Sequence, residues 1–179
     1  MTSAKRGWLE KLVFDTFNEA EKRGCVRYSV SLSPTHLRHV RTSDEGGTRV
    51  YPIQLVEERA TAKRRAAKVE DETTLPPFDP SKFHFLKVKE EEVMFEYEAD
   101  GDKHAVIVNA SPVCRSHCLI VPFRSHLLPQ VLTRGAVSVG LRFASDMHSG
   151  GGVVGFNSIG AFASVNHLHF QAYFLPDAV

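Results

Sequence analysis

The stretch Phe156-Asn-Ser-Ile-Gly-Ala-Phe-Ala-Ser-Val-Asn-His-Leu-His-Phe-Gln-Ala-Tyr-Phe-Leu175 decides how this chain is read. Its centre is the alternation His167, His169, Gln171. If residues 167–175 form a strand, side chains two apart project from one face, so both imidazoles and the amide turn toward one site. Leu168, Phe170 and Ala172 then turn the other way, into a core. Just upstream, Asn157, Ser158, Gly160 and Ser164 form a polar stretch interleaved with Ile159 and Phe162. Backbone N–H groups and short hydroxyls in such a loop suit a phosphate. A lone strand histidine is more often a hydrogen-bonded core residue than a catalyst. Two histidines and a glutamine on one face are also compatible with zinc, which imidazole commonly ligates. The spacing fixes no third or fourth ligand, however, and a metal would not require the Asn-Ser-x-Gly loop. A site that handles phosphate is therefore preferred over a metal site, and no metal is expected.

Composition narrows the class. A chain of 179 residues fits one domain and can bury a core. A net charge of +1 provides no global field for nucleic acid or an anionic membrane. No apolar run is long enough to span a bilayer, and the N-terminus lacks the apolar core of a signal peptide. Three cysteines, Cys25, Cys114 and Cys118, form no framework spacing, so reduced thiols in a cytosolic protein are expected. Cys114 and Cys118 are expected to be one buried and one exposed thiol flanking a turn.

Working along the chain, Trp8, Leu9, Leu12, Val13, Phe17 and Ala20 recur at helical spacing and Gly24 supplies a stop, predicting a helix over 7–23. Residues 26–32 alternate as a half-buried strand. Residues 34–47 read as a loop and 51–56 as a short strand. Residues 59–68 hold five basic residues and no acidic one, either as a solvated face or as cations for substrate phosphates. Without interleaved aromatic residues, a nucleic-acid patch is the weaker reading. Pro76-Pro-Phe-Asp-Pro80 reads as a rigid turn ahead of 82–89, where Phe83 and Phe85 share a strand face, as core or as the wall of a base pocket. Strands are predicted at 92–98 and 103–109 around an Ala-Asp-Gly-Asp hairpin. A turn, His117 and an apolar strand ending at Pro122 follow, with His117 expected to brace the turn. Helices are predicted at 125–133 and 136–148, a flexible break at 149–152 and a short strand at 153–156. The fold class is α+β, an antiparallel sheet with packed helices.

The 156–175 stretch resembles the active-site motif of the histidine-triad (HIT) superfamily, in the branch where Gln replaces the third His, and most closely that of the GDP-hexose phosphorylases. Gln54, Leu55, Glu57, Arg59, Lys63 and Arg64 resemble a second stretch of that family, and 76–89 a third, with His84 standing where Asn is more usual. In the HIT turn Gly usually precedes the His; here Ser116 does. The resemblance implies a HIT-like nucleotidyltransferase domain over residues 1–179, lacking the C-terminal part of the longer family members. It implies that GDP-L-galactose or GDP-D-glucose and phosphate give hexose 1-phosphate and GDP, without a cofactor, through a guanylyl group on His169. His167 orients the site, and the amide of Gln171 donates a hydrogen bond where a third His would supply a proton. Asn157, Ser158, Gly160 and Ser164 bind phosphate oxygens, with Lys63, Arg64 and Phe85 as further substrate contacts. A HIT-type nucleotide hydrolase and a non-catalytic nucleotide-binding domain remain the alternatives. Oligomeric state stays open, a homodimer being common in the transferase branch.

Overall fold

A computed structural model describes residues 7–30, 37–63, 65–66, 76–147 and 151–174. Helix α1 runs from Trp8 to Lys22. It buries Leu9, Val13, Phe17 and Ala20, three or four positions apart on one face. It ends where Gly24 takes φ +76°, and the N–H of Cys25 reaches back to the Ala20 carbonyl at 2.9 Å.

Seven strands follow: β1 (Leu37–Asp44), β2 (Gly47–Gln54), β3 (Val93–Ala99), β4 (Asp102–Val108), β5 (Cys118–Val121), β6 (Gly152–Gly155) and β7 (Phe170–Phe174), among the described residues. β1 and β2 form a hairpin of their own, and the other five form one antiparallel sheet in the order β3-β4-β5-β7-β6. Strand periodicity sorts side chains between two cores. Val106, Cys118, Ile120, Phe170, Ala172 and Phe174 face α1 and α3 (Arg134–Asp146), the helix that follows the short α2 (Glu57–Ala62). Ala105, Ile107, Leu119 and Val121 face the opposite side, where Phe85 and Val165 cover them. Thr133 caps α3 by accepting the Ala136 N–H at 3.2 Å. Gly140 lets that helix approach Phe170, whose ring would lie 3.4 Å from an added Cβ.

Several local expectations are corrected. The segment 34–47 contains β1, not a loop: its strand is polar on both faces because the hairpin is exposed on both, so period-2 alternation was absent. Residues 26–30 are irregular, not a strand. There the Arg27 N–H bonds the Ala110 carbonyl at 2.9 Å and the Tyr28 hydroxyl the Pro112 carbonyl at 2.8 Å, tying loop to loop. Phe85–Lys87 is a 3-10 turn. At 125–133 only Arg124–His126 turns, also as a 3-10 helix, because Leu127 adopts φ +52°. Cys114 and Cys118 are both buried, whereas Cys25 is partly exposed; the register places Cys118 opposite Ala172 in the sheet interior. Burial raises the Cys118 thiol pKa far above its ordinary value. The expected break at 149–152 falls mainly outside the described residues.

Candidate active site

The strand carrying the motif begins at Phe170, three residues later than predicted. The alternation survives upstream of it for a different reason. At 168–169 the backbone is bonded not by a neighbouring strand but by residues 128–130. The Leu128 carbonyl accepts the Leu168 N–H at 2.9 Å. The Gln130 side chain then grips His169 on both sides: its Oε1 accepts the His169 N–H at 2.8 Å, and its Nε2 donates to the His169 carbonyl at 3.0 Å. The same Nε2 donates to the Asn157 carbonyl at 3.0 Å. Gln130 is fully buried, an amide standing in for a strand partner. Its own N–H is accepted by Asn166 Oδ1 at 2.9 Å, while Asn166 Nδ2 reaches the Pro76 and Pro77 carbonyls at 3.0 and 2.9 Å. Neither Gln130 nor Asn166 was singled out from sequence. A lone amide carries no periodicity, and the groups it meets lie far along the chain.

The tautomer of His169 follows from its partner. A carbonyl oxygen only accepts, so Nδ1, 2.7 Å from the His167 carbonyl, must carry the proton. Nε2 is left with its lone pair. Burial holds the His169 pKa down to about 4, against the smaller raising effect of that backbone bond, so the ring is neutral at pH 7. His167 is placed differently. Its Nδ1 accepts the Phe85 N–H at 3.0 Å, and its ring packs against Phe78, His84 and Phe85. Burial, then the neighbouring His84 and His169, lower its pKa to about 4. Its Nε2 meets no hydrogen-bond partner among the described residues, nor does Nδ1 of His84. Arg124 fixes the other side of the Phe85 peptide, with Nε and Nη2 donating to its carbonyl at 3.1 and 2.9 Å.

A cleft of about 160 Å³ opens on this face, lined by Arg27, Phe85, Ser111, Ser164, His169 and Gln171 among others. Phe85 stands edge-on to His169 with ring centroids 5.0 Å apart. The cleft thus unites four expected residues: His169, Gln171, Ser164 and Phe85. His167 lies behind it. Asn157 is occupied within its own turn, its Nδ2 donating to the Ala161 carbonyl at 3.0 Å. The Ser158 carbonyl accepts the N–H groups of Ala161 and Ala163, and Gly160 turns the chain at φ +87°. These three residues shape the loop that carries Ser164 and do not line the cleft. Lys63 lines a second cleft of about 600 Å³, with Arg59, Arg65, Val113 and the exposed ring of Phe162. Arg59 links the two by donating to the Ser111 carbonyl. Burial and the adjacent Arg59 lower the Lys63 pKa. Arg64 lies outside the described residues. Among the described residues no three His, Cys, Asp or Glu converge as a metal site, and no helix is long and apolar enough to cross a membrane.

His117 braces its turn, accepting the Val113 N–H on Nδ1 at 3.0 Å, and also reaches Gln171 Oε1 with Nε2 at 2.6 Å. Asn109 Nδ2 joins the same oxygen at 3.2 Å. Burial lowers the His117 pKa to about 4, the Gln171 bond opposing and the charges of Arg59 and Lys63 reinforcing the shift.

Comparison with known proteins agrees with this architecture. The chain is 36% identical over 172 residues to GDP-D-glucose phosphorylase 1 of Danio rerio, covering 96% of this chain and 45% of that protein. It is 32% identical over 187 residues to GDP-L-galactose phosphorylase 2 of Arabidopsis thaliana, covering 94% and 42%. The chain therefore spans less than half the length of these relatives. The crystal structure of yeast Ap4A phosphorylase Apa2 in complex with Ap4A superposes with a TM-score of 0.63 at 18% identity, over 96% of this chain and 53% of that one. That likeness is one of fold, and it agrees with the expected α+β class, an antiparallel sheet with packed helices. Residues 8–173, from the first turn of α1 almost to the end of β7, match the family described as GDPGP1-like, N-terminal domain, and the chain belongs to that family.

Proposed function

We propose that this chain carries the nucleotidyl-transfer site of a GDP-hexose phosphorylase. The observation that carries the reading is the His169 tautomer: Nδ1–H is committed to the His167 carbonyl at 2.7 Å, leaving a neutral Nε2 lone pair in a ring that lines a cleft shared with Gln171 and Ser164. In the first step Nε2 attacks the α-phosphorus of a GDP-hexose. A P–N bond forms as the bond to the bridging oxygen breaks, and the electron pair leaves with hexose 1-phosphate. In the second step an oxygen of inorganic phosphate attacks the phosphoramidate. The P–N bond returns its pair to the imidazole and GDP departs. The His167 carbonyl holds the ring in orientation and stabilises positive charge on it through both steps.

Positioning and charge stabilisation supply most of the catalysis in phosphoryl transfer. The His169 cleft, at about 160 Å³, takes the reacting phosphoryl group; ligand pockets for whole molecules are about 300–1,000 Å³. The larger cleft, with Arg59, Lys63 and Phe162, suits the charged remainder of the substrate. The names of the relatives support a GDP-sugar as that substrate.

The test is phosphorolysis of GDP-L-galactose and of GDP-D-glucose, each with and without phosphate, beside His169→Ala. Phosphate-dependent GDP release that the variant abolishes is expected. The faster sugar assigns the reaction either to L-ascorbate formation or to removal of an unwanted GDP-sugar. GMP release independent of phosphate would identify a hydrolase instead, and binding of GDP without turnover a non-catalytic domain.

A further inference from the structure

Gln171 sits at the one position where a side-chain amide replaces an imidazole, and an amide has two faces of opposite polarity. Which face the cleft meets is fixed by residues outside the motif. A backbone N–H only donates, so His117 Nδ1, 3.0 Å from the Val113 nitrogen, is unprotonated and Nε2 carries the hydrogen. That hydrogen points at Gln171 Oε1, 2.6 Å away. Asn109 is oriented independently: its Oδ1 accepts the Ser111 N–H at 2.9 Å, so Nδ2 is its other terminal atom. Nδ2 lies 3.2 Å from the same Gln171 oxygen. Its approach to His117 Nε2 at 3.1 Å sets two donors side by side and bonds neither. Two N–H groups thus converge on one Gln171 atom, and a flipped amide would aim its own N–H groups at both. The loop carrying these donors is clasped in turn: the Asn109 N–H bonds the His117 carbonyl at 3.1 Å, and Arg59 holds the Ser111 carbonyl.

We propose that Asn109 and His117 are positioning residues that lock the Gln171 amide with its oxygen inward, so that its NH₂ group is the one presented to the His169 cleft as a donor to a phosphoryl oxygen. The proposal deepens the phosphorylase reading and rests on it for the identity of the acceptor. The lock itself concerns the free protein. It accounts for how an amide, which can point either way, holds a fixed donor where phosphoryl charge develops. Had Oε1 faced the cleft, it would repel that charge.

Asn109→Asp tests the lock. The shape is kept and one carboxylate oxygen can still accept the Ser111 N–H, but the other replaces the donor that faced Gln171. It accepts the His117 Nε2–H and repels Oε1, so the amide turns over and offers its oxygen to the cleft. The first measurement needs no substrate: in ¹⁵N spectra of the ligand-free chain, the Gln171 side-chain NH₂ exchanges freely with water in the parent. In Asn109→Asp it becomes protected and shifts downfield as it bonds the new carboxylate. The second is turnover with GDP-hexose and phosphate. Asn109→Asp should lower kcat about 10- to 100-fold, at or below the roughly 100- to 1,000-fold that outright removal of one preorganised donor costs, with KM within about threefold. In a Gln171→Ala background it should lower kcat no further. His117→Phe, which keeps the ring's bulk without its N–H, should give a smaller kcat loss in the same direction that likewise vanishes in the Gln171→Ala background, and takes over the turnover measurement if Asn109→Asp does not fold. A parent Gln171 NH₂ that is already protected would overturn the proposal, as would an equal kcat loss in both backgrounds, which would mean that the added charge acts directly. Absence of turnover in the parent, together with the expected spectra, would remove the phosphorylase reading and leave the lock standing.

Discussion

Replacing Gln130 with leucine should be one of the most costly single changes to this fold, and its size can be worked from three hydrogen bonds. The residue is fully buried. Leucine fills most of its volume but leaves the His169 N–H, 2.8 Å from Oε1, without that partner, and removes the donor that now lies 3.0 Å from each of the His169 and Asn157 carbonyls. A buried polar group stripped of its partner costs about 1–3 kcal/mol. The N–H has a single hydrogen and loses its bond outright, whereas each carbonyl keeps a second lone pair. Allowing about 2 kcal/mol for the N–H and about 1 for each carbonyl gives about 4 kcal/mol, a large share of a typical total of about 5–15. Urea titration followed by circular dichroism reads it directly. With a slope of about 2 kcal/mol/M, the midpoint should fall by about 2 M. Gln130→Glu keeps the acceptor for the His169 N–H but sets a carboxylate oxygen against two carbonyls, so it should cost at least as much at neutral pH. A Gln130→Leu midpoint within about 0.5 M of the parent, equivalent to about 1 kcal/mol, would show that the clamp is not what holds His169 in place.

Two further outcomes follow from buried groups. His117, His167 and His169 are each held to about pKa 4 in the folded chain, against about 6.5 when unfolded. Below pH 6.5 the unfolded chain binds more protons, so stability falls as pH drops from about 6.5 toward about 4 and is greatest above that window. Going from pH 7.5 to 5.5, each histidine should remove about 1 kcal/mol, on the order of 3 to 4 in all; urea midpoints that agree at the two pH values would refute the assignment of three neutral histidines. Ser116 offers a second test. It holds φ +86° and its hydroxyl accepts the Phe174 N–H at 3.1 Å. Ser116→Ala keeps the left-handed backbone and loses the acceptor, and should cost about 1–3 kcal/mol. Ser116→Gly recovers about 1 kcal/mol of backbone strain and should melt above the alanine variant; the reverse order of melting temperatures would sink the argument.

The Ser116 backbone also explains why glycine is usual before the histidine of this turn. The position is left-handed, and here a hydroxyl bond to β7 offsets the use of a residue with a Cβ. The same logic separates what was legible from what was not. α1, α3 and β3 could be read because their apolar residues repeat at the period of the element that buries them, and β4 because a hairpin signal leads into a continuous apolar run that is buried on both faces. β1 could not, since both its faces are exposed and neither required apolar residues. The helix expected at 125–133 failed because its apolar residues serve a segment that bonds the chain just ahead of β7 through Leu128 and Gln130.

By itself the sequence determined the alternation of His167, His169 and Gln171, the polar loop before them and the α+β class, because each is written in residue types at short, regular spacing. Tertiary structure decided the rest. It set His167 behind the cleft and His169 at its wall, chose the protonated nitrogen of each ring by what stands opposite, and left Asn157, Ser158 and Gly160 shaping a turn away from the cleft wall. It also joined Asn109 and His117 to Gln171 across more than fifty positions of chain. Spacing along a strand says which side chains share a face. Only the partners folded against that face say which atom is a donor, which an acceptor and which is left for chemistry.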